Sequence, residues 1–553
     1  MRSTMMDVPL SLNHLLERAG TLFAGNEVVS RLPDKTLRRH SYGEVYRRTR
    51  ALADALQKLG LKKGDRVATL CWNHHAHLEC YFGIPAAGGV MHTMNLRLAP
   101  GDIGAIAADA DDRFLIVDDI LLPLYKQFAH QHKFERVIVF PFSGAAVAAE
   151  FTDYEALLAK ADPEHFEYAE HGENDPVSMC YTSGTTGRAK GVVYSHRSTV
   201  LHTLVGCLGD HWGFKGTDVL MPVAPMFHAN SWGTPYAAVM LGMKVVFPGP
   251  HLHADDLLDL MQIEPPTLAL GVPTIWMSMI QAYEKALTEQ PGRWKLPAGM
   301  RSLVGGAAVP EALIRAFDRH GVWLLQGWGM TETSPLATVS YPRAELRDAD
   351  ANERYRRAAM AGVPAPLVEV RIRADDGADA LGSKHGTNLP WDGQAMGEIQ
   401  VRGPFITGSY HGVPVSEDKF TADPNGDLWL RTGDVATMDS LGFVRITDRT
   451  KDLIKSGGEW ISSVDLENAL MAHPAVAEAA VIAVPDEKWS ERPLACLVWK
   501  AGVSATPAEL GEHLLKHGFA KWQLPDRYEI IDAIPRTSTG KFWKLKLRER
   551  FPR

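Results

Sequence analysis

Apolar and polar positions along this chain alternate between a helical period and short, fully apolar runs. Between residues 41 and 60, apolar side chains recur at helical spacing, after a Ser41–Glu44 capping-box pair and up to Gly60. Short apolar runs predict buried strands at residues 67–71, 177–180, 244–247, 267–270 and 301–304. Helices alternating with such strands indicate a layered α/β architecture.

The length of the chain predicts more than one domain. A chain of 553 residues is too long for a single hydrophobic core. A charged segment at 448–452 separates a predicted strand at 442–447 from the glycine pair Gly457-Gly458. We therefore expect a large N-terminal domain of sheets and helices over residues 1–448 and a small α+β domain over residues 449–553.

Composition narrows the class of protein. A net charge of −8 argues against a nucleic-acid binder, and no apolar run is long enough to predict a membrane span. The N-terminal residues lack the apolar core of a signal peptide. Five scattered cysteines without CxxC spacing fit a reducing compartment. We expect a cytoplasmic protein.

The segment 181–191 has the composition of a phosphate-binding loop. It holds four Ser or Thr hydroxyls, three glycines and one lysine, and it follows a predicted strand. It is not a Walker A loop, because Ala189 and Gly191 occupy positions that the motif reserves for Gly and Ser/Thr. A flexible surface loop is the structural alternative. The candidate phosphate contacts are Thr182, Ser183, Gly184, Thr185, Thr186, Gly187 and Lys190.

Four further segments follow in a fixed order, at residues 326–332, 429–434, 448–460 and 535–541. With 181–191, they resemble the signatures of the adenylate-forming superfamily, which includes acyl-CoA synthetases, luciferase and adenylation domains. One departure is Ala189, where the family usually has proline. The resemblance implies ATP, Mg²⁺ and coenzyme A as cofactors, a carboxylic acid as substrate, and a mobile C-terminal lid with its hinge near Lys451. It is compatible with a homodimer.

The resemblance implies roles for three residues at the reacting phosphate. Lys541 would bridge the substrate carboxylate and the α-phosphate during adenylation, whereas a lysine in such a turn is otherwise an exposed surface residue. Glu332 and Thr182 would bind Mg²⁺, as hard oxygen ligands do. The structural alternative for Glu332 is a first-turn helix glutamate.

Further residues are implied at the nucleoside. Asp434 would accept both ribose hydroxyls, Arg449 would donate to ribose or phosphate oxygens, and Trp328, at a position where most relatives have tyrosine, would stack on adenine. Each could instead be structural. The remaining implied nucleotide contacts are Gly306, Gln326, Gly327, Thr331, Lys451, Lys455 and Trp460.

The segment 226–233 bears on the substrate. Amino-acid-activating relatives carry an aspartate there, and this chain has no acidic residue in the segment. His228, Ala229 and Trp232 are therefore the candidate contacts for an acid without an α-ammonium group. Trp232 matches a tryptophan that gates the acyl tunnel of a long-chain relative, with a plain core tryptophan as the alternative. Five nearby apolar residues either line an acyl tunnel or belong to the core, and the sequence leaves both alternatives open. They are Phe227, Trp276, Met277, Met279 and Met330.

The leading interpretation is an ATP-dependent fatty acid–CoA ligase that favours medium- to long-chain acids. A ligase for short sulfur-containing or branched acids, such as 3-methylthiopropionate, is the alternative within the class. A luciferase-like adenylating oxygenase and a non-catalytic nucleotide-binding regulator are the alternatives outside it. The combined presence of Lys541, Glu332, Asp434 and Arg449 argues against the regulator.

Overall fold

The chain folds into four β-sheets with helices packed between and around them. The structure is a computed structural model that describes residues 1, 3–182, 189–374, 388–450, 452–456, 459–537 and 541–552. The strands, numbered in chain order, are β1 Glu27–Arg31, β2 Leu37–Ser41, β3 Arg66–Leu70, β4 Val90–Thr93, β5 Asp112–Asp118, β6 Arg136–Phe140, β7 Thr152–Asp153, β8 Pro176–Tyr181, β9 Gly191–Ser195, β10 Val219–Pro222, β11 Lys244–Phe247, β12 Leu268–Gly271, β13 Arg301–Val304, β14 Trp323–Gly329, β15 Leu336–Val339, β16 Val363–Pro364, β17 Glu369–Arg373, β18 Gly397–Arg402, β19 Phe420–Ala422, β20 Leu428–Met438, β21 Val444–Arg449, β22 Ile454–Ser456, β23 Glu459–Ile461, β24 Val476–Asp486, β25 Ser490–Trp499 and β26 Arg527–Ile530.

The helices lie mainly between the strands, as an α/β chain requires. They are α1 Leu12–Leu22, α2 Tyr42–Lys58, α3 His75–Ala86, α4 Pro100–Ala110, α5 Leu122–Phe128, α6 Tyr154–Ala159, α7 His196–Gly206, α8 Ala229–Trp232, α9 Thr234–Leu241, α10 Ala254–Ile263, α11 Pro273–Glu289, α12 Glu311–Asp318, α13 Ala351–Ala358, α14 Ser463–Met471, α15 Pro507–Lys516 and α16 Lys544–Arg550. Short 3₁₀ helices are formed by Asp119–Leu121, Thr331–Thr333, Ala344–Leu346 and Lys521–Gln523.

Two large sheets form the body of the molecule. A nine-stranded sheet has the order β16-β15-β14-β13-β12-β10-β11-β1-β2, and a seven-stranded sheet has the order β7-β6-β5-β3-β4-β8-β9. Within the first sheet, β10, β12, β13 and β14 run parallel to one another. Every residue of α3 is buried, and this helix contacts β1 of one sheet and β3 of the other. The main core therefore lies between the two sheets.

Two five-stranded sheets complete the fold. One has the order β17-β18-β20-β19, with β21 added beside β20. The other, formed entirely after residue 453, has the order β23-β22-β25-β24, with β26 added beside β25. This last sheet packs with α14, α15 and α16 around its own small cores. Among the described helices, none combines the length and apolar character needed to cross a bilayer.

The predicted elements agree with the structure to within two residues at most ends. The predicted helix at 41–60 is α2, and Ser41 caps it through both bonds of the capping box. The predicted strands at 244–247 and 301–304 match β11 and β13, whereas the run at 442–447 is shifted to Val444–Arg449. The α/β class with a small C-terminal α+β domain is confirmed.

Candidate active site

A deep cleft opens where several parallel strands of the nine-stranded sheet end. It has an empty volume of about 1120 Å³. Segments that follow β10, β13 and β14 line it, Thr182 reaches it from the end of β8, and Lys541 reaches it from the C-terminal domain. The carboxyl edge of a parallel sheet is the usual ligand site of α/β proteins. Residues separated by more than 300 positions thus meet in one place.

The charged lining of the cleft is mainly cationic. Among the described residues, its lining has one carboxylate, Glu332, and four cationic side chains, Lys190, Lys419, Arg449 and Lys541. A cleft with this excess of positive charge attracts a polyphosphate.

Thr182 and Lys190 form the base of the predicted phosphate loop. The Thr182 amide donates to the Lys190 carbonyl at 2.9 Å, and the Lys190 amide donates to Thr182 Oγ1 at 3.1 Å. These bonds join Thr182 to Lys190, and both residues line the cleft. The other predicted phosphate contacts lie outside the described residues, namely Ser183, Gly184, Thr185, Thr186 and Gly187.

Glu332 is buried in a short 3₁₀ helix, where a tyrosine holds its carboxylate. The Tyr410 hydroxyl donates to Glu332 Oε1 at 2.7 Å, and Lys190 Nζ lies 4.9 Å from the centre of the Tyr410 ring. Burial, and then the charge of Glu332, raise the pKa of Tyr410, so it stays a protonated donor. Thr331 also lines the cleft, and its carbonyl accepts from Tyr194.

The donor set suits a hard divalent cation. Glu332 contributes a carboxylate and Thr182 a hydroxyl to the same cleft. Mg²⁺ is typically held by one or two such oxygens together with substrate phosphates, and when bound it would neutralise phosphate charge. The residues present therefore fit the ion that the sequence motifs imply.

A connected group of three side chains lies at the cleft: Trp328, Asp434 and Arg449. Trp328 Nε1 donates to Asp434 Oδ2 at 2.8 Å, and Arg449 Nε lies 3.0 Å from Asp434 Oδ1. Asp434 and Arg449 are direct partners on the paired strands β20 and β21. The Asp434 carboxylate raises the pKa of Arg449, which keeps the guanidinium charged.

The structure places two of the predicted nucleotide contacts, Gly306 and Gln326, differently. Gly306 has φ +85°, a conformation that side-chain-bearing residues rarely adopt, and it lines the cleft with Gly327. The buried Gln326 side chain does not reach the cleft; it accepts a hydrogen bond from the Val309 amide at 3.2 Å. The Gln326 side chain thus connects β14 to the segment that follows β13 and supports the cleft without lining it.

Lys541 lies in the cleft, and two hydrogen bonds join its backbone to Thr537. Thr537 N donates to the Lys541 carbonyl at 2.8 Å, and Lys541 N donates to Thr537 Oγ1 at 3.2 Å. Burial lowers the pKa of Lys541 to about 8, Arg449 adds to the lowering, and Asp434 and Glu332 partly oppose it. Lys541 is therefore charged at neutral pH but close to losing its proton.

Part of the cleft wall is formed by the segment after β10. Ala229, Asn230, Ser231 and Trp232 all have positive φ, between 44° and 58°, which makes a left-handed turn of four non-glycine residues. The Asn230 amide donates to Ser178 Oγ at 2.9 Å, and Ser231 Oγ donates to the Ala224 carbonyl at 2.8 Å. The turn brings Ala229 and the largely buried Trp232 to the cleft wall.

His228 precedes this turn and lines the cleft. Burial lowers its pKa to about 4, and the charges of Lys541 and Arg97 add to this effect. The imidazole is therefore neutral at pH 7 and adds no charge next to the apolar wall.

The tunnel candidates divide between cleft and core. Met330 lines the cleft. Trp276 and Met279 are fully buried in a core cluster on α11, Phe227 is buried in another cluster, and Met277 packs against the first. Sequence reasoning missed several lining residues that lie outside the recognised motifs, among them Trp212, Tyr410 and Lys419.

Four of the predicted nucleotide contacts that the structure describes do not line the cleft: Gln326, Asp434, Lys455 and Trp460. Asp434 nevertheless contacts two lining residues, Trp328 and Arg449. Lys455 and Trp460 face each other on the hairpin β22–β23, with Lys455 Nζ 5.1 Å from the Trp460 ring centre, and both are exposed. Neither lines the cleft. The predicted hinge, Lys451, lies outside the described residues.

Comparisons with known proteins agree with this geometry. The model of the AMP-binding enzyme family matches residues 16–411, and that of the AMP-binding enzyme C-terminal domain matches residues 465–541. The chain is 46% identical over 550 residues to a long-chain-fatty-acid–CoA ligase of Thermus thermophilus, covering 99% of this chain and 97% of that protein. It is 42% identical over 558 residues to a 3-methylmercaptopropionyl-CoA ligase of Ruegeria lacuscaerulensis, covering 100% and 99%.

The fold is also shared with solved structures. The anthranilate CoA ligase AuaEII in complex with anthranoyl-AMP superposes with a TM-score of 0.84 at 24% identity, covering 100% of this chain and 99% of that one.

Proposed function

Because the chain belongs to the AMP-binding enzyme family, we propose that it is an ATP-dependent fatty acid–CoA ligase that acts through an acyl-adenylate. The observation that carries this proposal is the composition of one cleft. Its lining combines the charged side chains Lys541 and Glu332 with the apolar side chains Trp232, Met330 and Leu336. Such a cleft can hold a triphosphate and an uncharged acyl chain at the same time.

In the first step, a carboxylate oxygen of the acid bonds to the α-phosphorus of ATP, and the bond from that phosphorus to pyrophosphate breaks. Both reactants are anions, so positioned cations lower the barrier. Lys541 would hold the carboxylate near the α-phosphate, and Arg449 with Asp434 would fix the ribose end. Glu332 and Thr182 would hold Mg²⁺, which screens the phosphate charge when bound.

In the second step, the sulfur of coenzyme A attacks the acyl carbon, and the thiol gives up its proton. The carbon–oxygen bond to AMP breaks, and acyl-CoA and AMP are released. A luciferase-like oxygenase would share only the first step, so AMP release that needs coenzyme A and yields a thioester distinguishes the two.

The acid favoured by this proposal has a medium or long chain. An apolar pocket gains about 0.8 kcal/mol per buried methylene, so kcat/KM should rise about three- to fourfold per added carbon until the pocket is full. AMP release with coenzyme A, measured on straight-chain acids from acetate to stearate, tests this. A flat or falling profile from butyrate upward would remove the fatty-acid assignment.

A second candidate acid is short and contains sulfur. It is favoured by the 42% identity to a 3-methylmercaptopropionyl-CoA ligase over the whole chain. Including 3-methylthiopropionate in the same series decides between the two, because a short pocket gives peak activity at three to five chain atoms, counting the carboxyl carbon. Trp232→Ala should broaden either profile if Trp232 closes the pocket, and should leave it unchanged if Trp232 only supports the core.

We also propose that residues 449–553 form a mobile lid over an acyl- and ATP-binding domain of residues 1–448. The support is that Lys541 reaches the cleft whereas Lys455 and Trp460, in the same small domain, do not. A hinge near Lys451 would let the face of the small domain that carries Lys455 and Trp460 turn toward the cleft for the second step. Lys451→Pro fixes φ at about −65° and should impair one half-reaction only. Two intact half-reactions would move the hinge elsewhere.

A cytoplasmic location and a role in fatty acid metabolism complete the proposal. All five cysteines are free, which fits a reducing compartment. Cell fractionation tests the location, and light scattering tests the predicted homodimer.

A further inference from the structure

The indole of Trp328 does more in this structure than offer an aromatic face to the cleft. Its Nε1–H donates to Asp434 Oδ2 at 2.8 Å, although the two residues are 106 positions apart and belong to different sheets. An indole nitrogen can only donate, and a carboxylate can only accept, so the direction of this bond is fixed. Asp434 is buried, which makes the bond strong and its loss costly.

The second oxygen of the same carboxylate has a cationic neighbour. Arg449 Nε lies 3.0 Å from Asp434 Oδ1 in an ion pair, and the two residues are held opposite each other by strand pairing. Oδ2 thus accepts a hydrogen bond from Trp328, and Oδ1 pairs with Arg449. Because each oxygen can accept about two hydrogen bonds, at least one acceptor site remains on each. Two remaining sites on two neighbouring oxygens match the two adjacent hydroxyls of a ribose.

Without the indole donor, this arrangement would change. A guanidinium presents a planar fork that prefers to engage both oxygens of a carboxylate. Arg449 is partly exposed and has room to adjust. With Oδ2 released, Asp434 would turn toward that fork and offer fewer free acceptor sites to the sugar.

We infer that Trp328 is a positioning residue for ribose recognition: its N–H holds Asp434 so that both carboxylate oxygens face the 2′- and 3′-hydroxyls of the nucleotide. The inference rests on the proposed nucleotide site. It assigns part of the selectivity for ribonucleotides over deoxyribonucleotides to an indole N–H that never touches the sugar.

The test separates the N–H from the aromatic surface. Replacing Trp328 by 3-benzothienylalanine keeps the bicyclic ring and puts sulfur in place of the N–H, and Trp328→Phe is a simpler second variant. Binding of Mg-ATP, Mg-2′-deoxy-ATP and Mg-3′-deoxy-ATP is measured by calorimetry. We expect ATP to bind about tenfold more weakly to the benzothienyl variant, the size typical of a hydrogen bond to a charged group, and at least one deoxy analogue to be nearly unaffected.

Trp323→Phe is the matched control. It changes an indole on the same strand, β14, at a position that does not line the cleft, and it should leave all three affinities unchanged. Equal weakening for ATP and both deoxy analogues would show that Trp328 acts only through stacking or packing and would overturn the inference. Unchanged ATP affinity would overturn it as well. Because binding is read without acid or coenzyme A, failure of the ligase assignment would appear separately, as a wild-type protein that makes no thioester.

Discussion

Two lysines of the small C-terminal domain, Lys541 and Lys455, lie in opposite environments. Lys541 lies in the cleft, where burial lowers its pKa to about 8. Lys455 is exposed on β22, where its Nζ lies 5.1 Å from the centre of the Trp460 ring and its amide donates to Glu491. The sequence motifs imply a nucleotide role for both. From this difference we infer that, in any one orientation, the small domain turns either the face with Lys541 or the face with Lys455 toward the cleft. The two lysines should therefore serve different half-reactions.

The largest effect is expected for Lys541→Ala. Loss of the bridging cation should lower acid-dependent pyrophosphate release by a factor of about 10² to 10³. Thioester formation from supplied acyl-adenylate should survive much better. Lys546→Ala, which removes an exposed lysine of the adjacent α16, is the matched control and should change neither step. Equal losses in both half-reactions would contradict the assignment of Lys541 to the adenylation step alone.

The charge of Lys541 should also set the alkaline limit of adenylation. The ammonium is the active form, so kcat/KM is retained below the folded pKa and falls as pH rises through about 8, by about tenfold per unit well above it. Lys541→Arg keeps its charge at these pH values, and its remaining activity should not fall between pH 8 and 9.5. The same alkaline fall in both proteins would assign the titration to another group.

Tyr410→Phe should have a smaller effect, through Glu332. The change removes the hydroxyl that donates to Glu332 Oε1, and loss of a residue that orients a metal ligand commonly weakens metal binding about tenfold or more. Titrating adenylation with Mg²⁺ at fixed ATP measures the shift. Tyr355→Phe removes a hydroxyl bonded to a carboxylate outside the cleft and is the control. An unchanged Mg²⁺ requirement would mean that Glu332 needs no such support.

The smallest effect on adenylation is expected for Lys455→Ala. An exposed cation–π contact contributes little, so adenylation should change less than about fivefold. Thioester formation from supplied acyl-adenylate should fall more, if the domain face that carries Lys455 and Trp460 serves that step. Lys488→Ala removes a similar contact, with Lys488 Nζ 4.5 Å from the Trp489 ring, and tests whether any exposed pair has this effect. A large loss of adenylation would place Lys455 beside Lys541 in function.

Resemblance to a family predicted the charged residues of the site: Glu332, Asp434, Arg449 and Lys541. Glu332 follows the end of β14, whereas Asp434 and Arg449 pair across β20 and β21 of a different sheet. Periodicity carries no signal for these roles. The core elements followed from apolar spacing alone.

Other features could not be predicted because they depend on packing between distant segments. Tyr410 reaches Glu332 from 78 positions away, and nothing in its neighbours signals the contact. The hydrogen bond between Trp328 and Asp434 joins two sheets whose relative placement no motif states. The same holds for Lys455 and Trp460, whose distance from the cleft depends on the orientation of a whole domain.

The left-handed turn at residues 229–232 constrains how this enzyme's acid preference can be changed by mutation. A left-handed conformation costs a residue other than glycine about 1–2 kcal/mol, and β-branched side chains tolerate it worst. Valine, isoleucine or threonine libraries at Ala229 or Trp232 should therefore lose folded protein before they reveal a new specificity. The facing wall, where Leu303 and Leu336 lie in ordinary strand conformation, offers positions at which pocket volume can vary without that penalty. Variation in acid preference, natural or engineered, should accumulate there.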